Sequence, residues 1–206
     1  MQARIEDQDL EIQRLRQLGA PAVPVPEVPV LPAPVAQAEI VANVVANVVK
    51  DWTPPPEDWI KIKCDVRVGG DSMCMATLAR DHSRTVVWAA VNMLNFRDPL
   101  IGEAAACRLA LDSARLKNHN YVLVESDSEI VIKALKGLHS SWSIDNYVSL
   151  CNQLSKNFLS CNFSFISRCC NFVAHNVANW TFAQNISGFV EPSSILDAIL
   201  CNDREV

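Results

Sequence analysis

The apolar positions of this chain fall into two regimes. From residue 59 onward they recur with the periods of strands and helices; before it they do not. "WIKIKCDVRV", residues 59–68, alternates, with Ile60, Ile62 and Cys64 pointing one way and Lys61, Lys63 and Asp65 the other. Period two of this kind predicts a half-buried strand. "VGGDS" supplies a turn, and "MCMATLAR" (73–80) reads as a second strand. "DHSR" makes a tight turn, and "TVVWAAVNM" (85–93) reads as a third strand. Three strands joined by short turns predict an antiparallel meander.

The period then changes. Residues 99–118 are rich in Ala and Leu, and Ala104, Ala105, Leu109, Ala110 and Leu116 keep one apolar face, which predicts a helix. "YVLVES" (121–126) is a fourth strand, and a helix starts near Asp127, with Ile130, Val131, Ala134 and Leu135 at helical spacing. Residues 142–157 form another helix, with Trp142 expected as a core anchor at its start. "CNFSFISR" (161–168) is a fifth strand, and 171–185 close with a helix. The order β-β-β-α-β-α-α-β-α predicts an α/β domain: a five-stranded mixed sheet flanked by helices.

The front of the chain changes that picture by adding an extension. Residues 1–18 place Met1, Ile5, Ile12 and Leu15 at coiled-coil-like positions, and Gly19 stops that helix. Two heptads fall short of the three or four a coiled coil needs. Residues 20–36 carry six prolines and read as extended linker. The repeat in "IVANVVANVV" (40–49) fits a short helix or a strand. The expected organisation is a largely disordered extension over 1–51, a folded domain over 52–190 and a C-terminal tail over 191–206.

Charge and cysteine usage narrow the function classes. The net charge is −5, from 18 basic and 23 acidic residues, so no basic blanket announces a nucleic-acid binder. The eight cysteines contain no CxxC pair and no finger-like Cys/His spacing. Neither a signal segment nor a run of about 18 apolar residues is present. These features predict an intracellular protein, nuclear or cytoplasmic, with reduced and mostly buried thiols.

Three carboxylates carry the candidate chemistry. Asp65 lies in the first strand, Glu103 one turn into the first long helix, and Asp127 at the end of the fourth strand. If strands one and four are neighbours, Asp65 and Asp127 converge at one edge of the core, and Glu103 reaches them from a helix packed on the sheet. Converging carboxylates raise one another's pKa unless a cation compensates. All-oxygen ligands point to Mg²⁺ or Mn²⁺, and a pair of such ions activates water and holds the leaving oxygen of a phosphodiester. Each acid also has a plainer reading: Asp65 as a solvated strand residue, Glu103 as a helix-start carboxylate, Asp127 as an N-cap. Glu125 shares the strand with Asp127 and is the neighbour to watch.

"WIKIKCDVRV", "ARDHSR", "GEAAACRLALDSA", "VLVESDSEIVIKAL" and "SRCCNFVAHNVA" stand in the order seen in plant ribonuclease H-like domains related to non-LTR retrotransposons, and the chain resembles that family over about residues 52–185. The resemblance implies the type 1 ribonuclease H fold and Mg²⁺-dependent hydrolysis of the RNA strand of an RNA–DNA hybrid. It places the catalytic acids at Asp65, Glu103 and Asp127, holding two ions, and puts His175 at the family's fourth acidic position. A histidine there would bind metal weakly, shuttle a proton or hold a phosphate; the plain alternative is a satisfied helix histidine. Asn171, one turn earlier, would contact nucleic acid or, as first choice, cap the helix.

Lys61, Lys63, Arg67, Arg80 and Arg168 are candidate phosphate contacts, although a solvated surface charge is the commoner reading for each. Trp142 and His139 are candidates for stacking on a base or sugar, with the core anchor the first reading of Trp142. Three departures stand out: Val66 and Arg84 occupy positions where the family usually has glycine, and "MCMATLARD" lacks the glycines usual in the second strand. A catalytically silent nucleic-acid-binding or interaction module derived from a retroelement is the alternative, and a coiled-coil scaffold ranks last.

Overall fold

The computed structural model describes residues 53–200. The helix and proline-rich segment expected over 1–51 lie outside the described residues, as does the end of the expected tail. The strands are β1 (Trp59–Val68), β2 (Met73–Arg80), β3 (Val86–Leu94), β4 (Tyr121–Ser126), β5 (Ser160–Phe165) and β6 (Gly188–Val190). The helices are α1 (Pro99–Leu116), α2 (Glu129–Leu135), α3 (Asp145–Ser155), α4 (Phe172–Gln184) and α5 (Asp197–Leu200). Short 3₁₀ turns span Arg168–Cys170 and Pro192–Ser194.

The strands form one mixed sheet in the order β5-β4-β1-β2-β3-β6. The meander β1-β2-β3 is antiparallel, as its short turns require, while β4 pairs with β1 and β5 with β4 in parallel. All five expected strands are present. The sixth, β6, adds antiparallel to the edge of β3. It is too short to show a period, and its docking is tertiary: the Phe189 ring meets the Trp88 ring edge-on, with centroids 6.2 Å apart.

Helix α1 starts where Asp98 accepts from the Leu100 and Ile101 amides at 2.9 and 3.1 Å, with Pro99 in the first turn. Its alanine-rich face packs on β1, β2 and β4 and joins Ile60, Ile62, Val122 and Val124 in the larger core. The α4 helix covers the other face of β1 and β2, and Val173, Val177 and Ala178 form a second core with Cys74, Ala76 and Leu78. With a helix on each side, β2 is buried along its whole length. Ile195, in the segment after β6, is buried in this second core.

Two expectations fail in instructive ways. First, β1 is not half-buried: Lys61 and Lys63 are only 5% and 2% exposed, and Arg80 is buried too. The alternation is real, but its polar side faces α4 and the 168–170 turn rather than water. The two lysines are satisfied inside. Lys61 Nζ lies 3.0 Å from Glu125 Oε1, and Lys63 Nζ donates to the Cys170 carbonyl. Burial pulls the Lys63 ammonium down to about 8, against the opposing pull of Glu125. Second, Trp142 is 90% exposed and anchors nothing; α3 begins at Asp145, and Ile144 takes the buried place. Its neighbours Leu138 and His139 are exposed as well. Arg84 adopts the left-handed region at φ 66°, which accounts for the glycine the resemblance leads one to expect there.

Glu125→Ala should remove the carboxylate that pairs with the buried Lys61 ammonium. The expected cost is about 3–5 kcal/mol in urea unfolding, with no loss of the divalent-metal response described below.

Candidate metal and active site

Parallel pairing of β1 with β4 sets Cys64 beside Ser126, so the next residue of each strand, Asp65 and Asp127, emerges at the same end of the sheet. Glu103 comes down from the second turn of α1. One ligand oxygen from each of the three carboxylates falls within 4.8 Å of the others. They line a cleft of about 270 Å³, with Arg67, Arg168 and His175 also on its walls. The three predicted acids therefore meet, and Asp127 caps no helix: α2 is preceded by Ser128, whose side chain makes no cap bond.

Each acid is held by a different neighbour. Asp65 accepts from the Val66 amide at 2.8 Å, and its Oδ2 lies 2.8 Å from His175 Nδ1. With a proton on Nδ1, the imidazole donates to Asp65 and turns Nε2 outward. Glu103 accepts from the Ser126 hydroxyl at 3.2 Å. Asp127 accepts from Asn171 Nδ2 at 3.0 Å.

Asn171 corrects the cap expectation. It occupies the residue before α4, yet its side chain makes no cap bond. The amide is 1% exposed and bridges the Cys64 carbonyl (2.8 Å) to Asp127. Its Oδ1 is buried and meets no donor among the described residues. Arg168 is exposed on the cleft wall, one helical turn ahead of α4. Of the other candidate cations, Arg67 lines the cleft, while Lys61, Lys63 and Arg80 are buried and take no part in its lining. Glu125 pairs with Lys61 and stays outside the cluster.

Sequence reasoning misses Ser126. It is fully buried, and besides holding Glu103 its oxygen accepts from the Ser128 amide at 3.1 Å. Its place next to Asp127 is the one signal the sequence carries; the bond to a helix 23 residues away leaves none.

The electrostatics are those of crowded like charges. Burial, then the Asp127 charge, pushes the Asp65 carboxyl up, while the Val66 amide and His175 oppose the rise. Glu103 is pushed well above the ordinary range by burial and by the charges of Asp65 and Asp127. An all-oxygen set that resists ionisation suits a hard divalent cation, which would relieve the repulsion. The residues present therefore fit such an ion.

Two outcomes are expected. The folded pKa values of Asp65 and Glu103 lie above the unfolded ones, so protonation favours folding. Without metal, that contribution is complete in acid, below the unfolded carboxylate range, and is lost as pH rises through the folded values. Glu103→Gln should then raise the melting temperature in EDTA at neutral pH and flatten its fall with pH. Mg²⁺ should raise the melting temperature of the wild type and do so less for the variant. Asn171→Ala should cost about 1–3 kcal/mol, the scale of leaving buried groups unpaired, and weaken the Mg²⁺ response.

With the geometry in place, comparison with known proteins is informative. A family model described as reverse transcriptase-like matches residues 66–181. Among solved structures, the chain resembles RNase H1 from the halophilic archaeon Halobacterium salinarum NRC-1, with a TM-score of 0.58 and 16% identity over 61% of this chain and 98% of that one. The N-terminal RNase H domain of a Mycobacterium tuberculosis protein gives 0.56 and 17%, over 61% and 94%. LC11-RNase H1, solved in complex with RNA/DNA hybrid, gives 0.56 and 15%, over 62% and 99%. No curated protein matches the chain. These likenesses show the RNase H-like fold, and the family match, covering more than half of the sequence, shows that the chain belongs to the reverse transcriptase-like family.

Proposed function

We propose that this chain hydrolyses the RNA strand of RNA–DNA hybrids, using Mg²⁺ or Mn²⁺ held as a pair by Asp65, Glu103 and Asp127. The observation that carries this reading is the convergence of three carboxylates within 4.8 Å at the end of the sheet, in a fold shared with RNase H1 structures. Such ions, when bound, supply an activated water and charge stabilisation at the leaving 3′ oxygen. The net reaction adds water across a P–O3′ bond, leaving a 5′-phosphate and a 3′-hydroxyl.

The chain's own residues do the positioning. Ser126 and Asn171 hold Glu103 and Asp127, and the Val66 amide fixes one oxygen of Asp65. His175, bonded to Asp65 through Nδ1, presents Nε2 for moving a proton. Arg168 and Arg67 lie on the cleft wall, where each can meet a phosphate. Asn171 serves nucleic-acid binding indirectly, through the carboxylate it holds. A retroelement origin of the non-LTR type, in a plant, and a nuclear or cytoplasmic site of action complete this reading. Among the described residues no helix is long and apolar enough to cross a membrane.

A second reading has one observation in its favour. Val66 places a branched side chain on the cleft wall next to Asp65, where glycine would leave room for a nucleic-acid backbone. In that reading the domain binds hybrid without cutting it.

The two are separated by incubating the full chain with labelled RNA–DNA hybrid and Mg²⁺. Cleavage is expected, with Asp65→Asn and Asp127→Asn each lowering the rate by about 10²-fold or more, the scale of losing one preorganised electrostatic group. His175→Ala should cost about 10–100-fold, as for residues that orient a metal ligand. Binding of hybrid without cleavage by folded wild type would sink the enzyme and leave the binding module.

A further inference from the structure

Cys169 and Cys170 stand side by side in the 3₁₀ turn between β5 and α4, and the proposed chemistry uses neither. Their sulfurs are 3.9 Å apart, with Cys169 exposed and Cys170 buried. The other described thiols are poor candidates for chemistry. Cys64, Cys74, Cys107 and Cys151 are buried, and burial pushes the Cys161 thiol up to about 12. Cys169 differs in exposure and in its surroundings. Its sulfur lies 3.0 Å from Ser167 Oγ, the exposed Arg168 precedes it, and the Lys63 ammonium reaches the carbonyl of Cys170. Exposed thiols are the ones that oxidants reach first, and an adjacent second thiol resolves the product.

The turn is also joined to the carboxylates. The Cys170 carbonyl is held by Lys63, and the next residue, Asn171, holds both Asp127 and the Cys64 carbonyl. We propose that Cys169 and Cys170 are a peroxide-responsive thiol pair that closes to a disulfide and slackens the Asp127 arm of the carboxylate cluster. The Cys169 thiol gives up its proton, the thiolate attacks hydrogen peroxide, the O–O bond breaks, and a sulfenic acid forms as hydroxide leaves and takes up that proton to become water. The Cys170 thiol then attacks the Cys169 sulfur, the S–O bond breaks, the S–S bond forms, and a second water leaves. Two thiols lose two electrons and one peroxide becomes two waters.

Closure must move the backbone. A disulfide needs sulfurs about 2.05 Å apart and Cα atoms usually at least about 4.4 Å apart, whereas consecutive Cα atoms are about 3.8 Å apart. The peptide between the two cysteines fixes that separation, so the closed ring is strained, and the strained residue carries the carbonyl that Lys63 holds and leads into Asn171. A bond strained in this way is easily reduced, which makes the change reversible. The thiol chemistry stands alone; its consequence for Asp127 rests on the metal-binding reading given above.

The test treats the full chain with a few equivalents of hydrogen peroxide and maps chymotryptic peptide 166–172, which contains both cysteines and no other. In the wild type this peptide is expected to lose two hydrogens and to resist alkylation until dithiothreitol is added; in Cys169→Ser it should not. The Mg²⁺-induced rise in melting temperature should shrink severalfold in oxidised wild type and stay unchanged in peroxide-treated Cys169→Ser. A peptide that keeps two alkylatable thiols, or that goes to sulfinic acid without a disulfide, overturns the pair. A disulfide with an unchanged Mg²⁺ response overturns the coupling. No Mg²⁺ response even in the reduced protein overturns the coupling and the metal reading together, while the peptide map still decides the thiol pair.

Discussion

Three carboxyl groups gathered at one end of a sheet set the terms for the rest of this domain. Asp65, Glu103 and Asp127 repel one another, and burial adds to the cost of ionising the first two. Their proximity survives because each is fixed by a separate element: a strand, a helix on one face, and the end of a neighbouring strand. Parallel pairing of β1 with β4 is what aligns two of the three. An antiparallel neighbour with the same residues would send the second carboxylate to the opposite end of the sheet.

The same end of the domain carries a second, compensating arrangement. The polar side of β1 runs inward from Asp65 through Lys63 to Lys61, and all three are buried. Lys61 is neutralised by Glu125, while Lys63 directs its ammonium to a main-chain carbonyl in the 168–170 turn. That turn leads into Asn171 and, one turn of α4 later, His175, which bond to Asp127 and Asp65. The buried charges thus help to hold the strand, the turn and the helix start in one relation. The turn is thus joined to the carboxylates through two side chains, the Asn171 amide and the His175 imidazole.

Much of this is legible in the amino-acid sequence. The change of period at residue 59, the meander and the alternating units carry the element order and the mixed sheet, because burial of one stripe or one face leaves a repeating trace. The three acids are legible one by one from their places in the elements, each with a plainer reading beside it, and the family resemblance is what singles them out as a group. Trp142 and Asn171 mislead for a common reason. Residue type near an expected helix start makes one a core anchor and the other a cap, yet Ile144 fills the core and Asn171 turns inward to bridge Cys64 and Asp127.

What the chain determines by itself is what depends on neighbours in sequence: strands, helices, the turns between them and which acids lie at their ends. What only the tertiary structure decides is what depends on partners far along the chain. The burial of Lys61 and Lys63 follows from α4 and the turn before it closing over β1, a pairing across 107 residues in the case of Lys63 and Cys170. The bond of Ser126 to Glu103 and the edge pairing of β6 are of the same kind. A polar side chain on an alternating strand reads the same whether water or a helix lies over it, since periodicity records which face is apolar and not what covers the other.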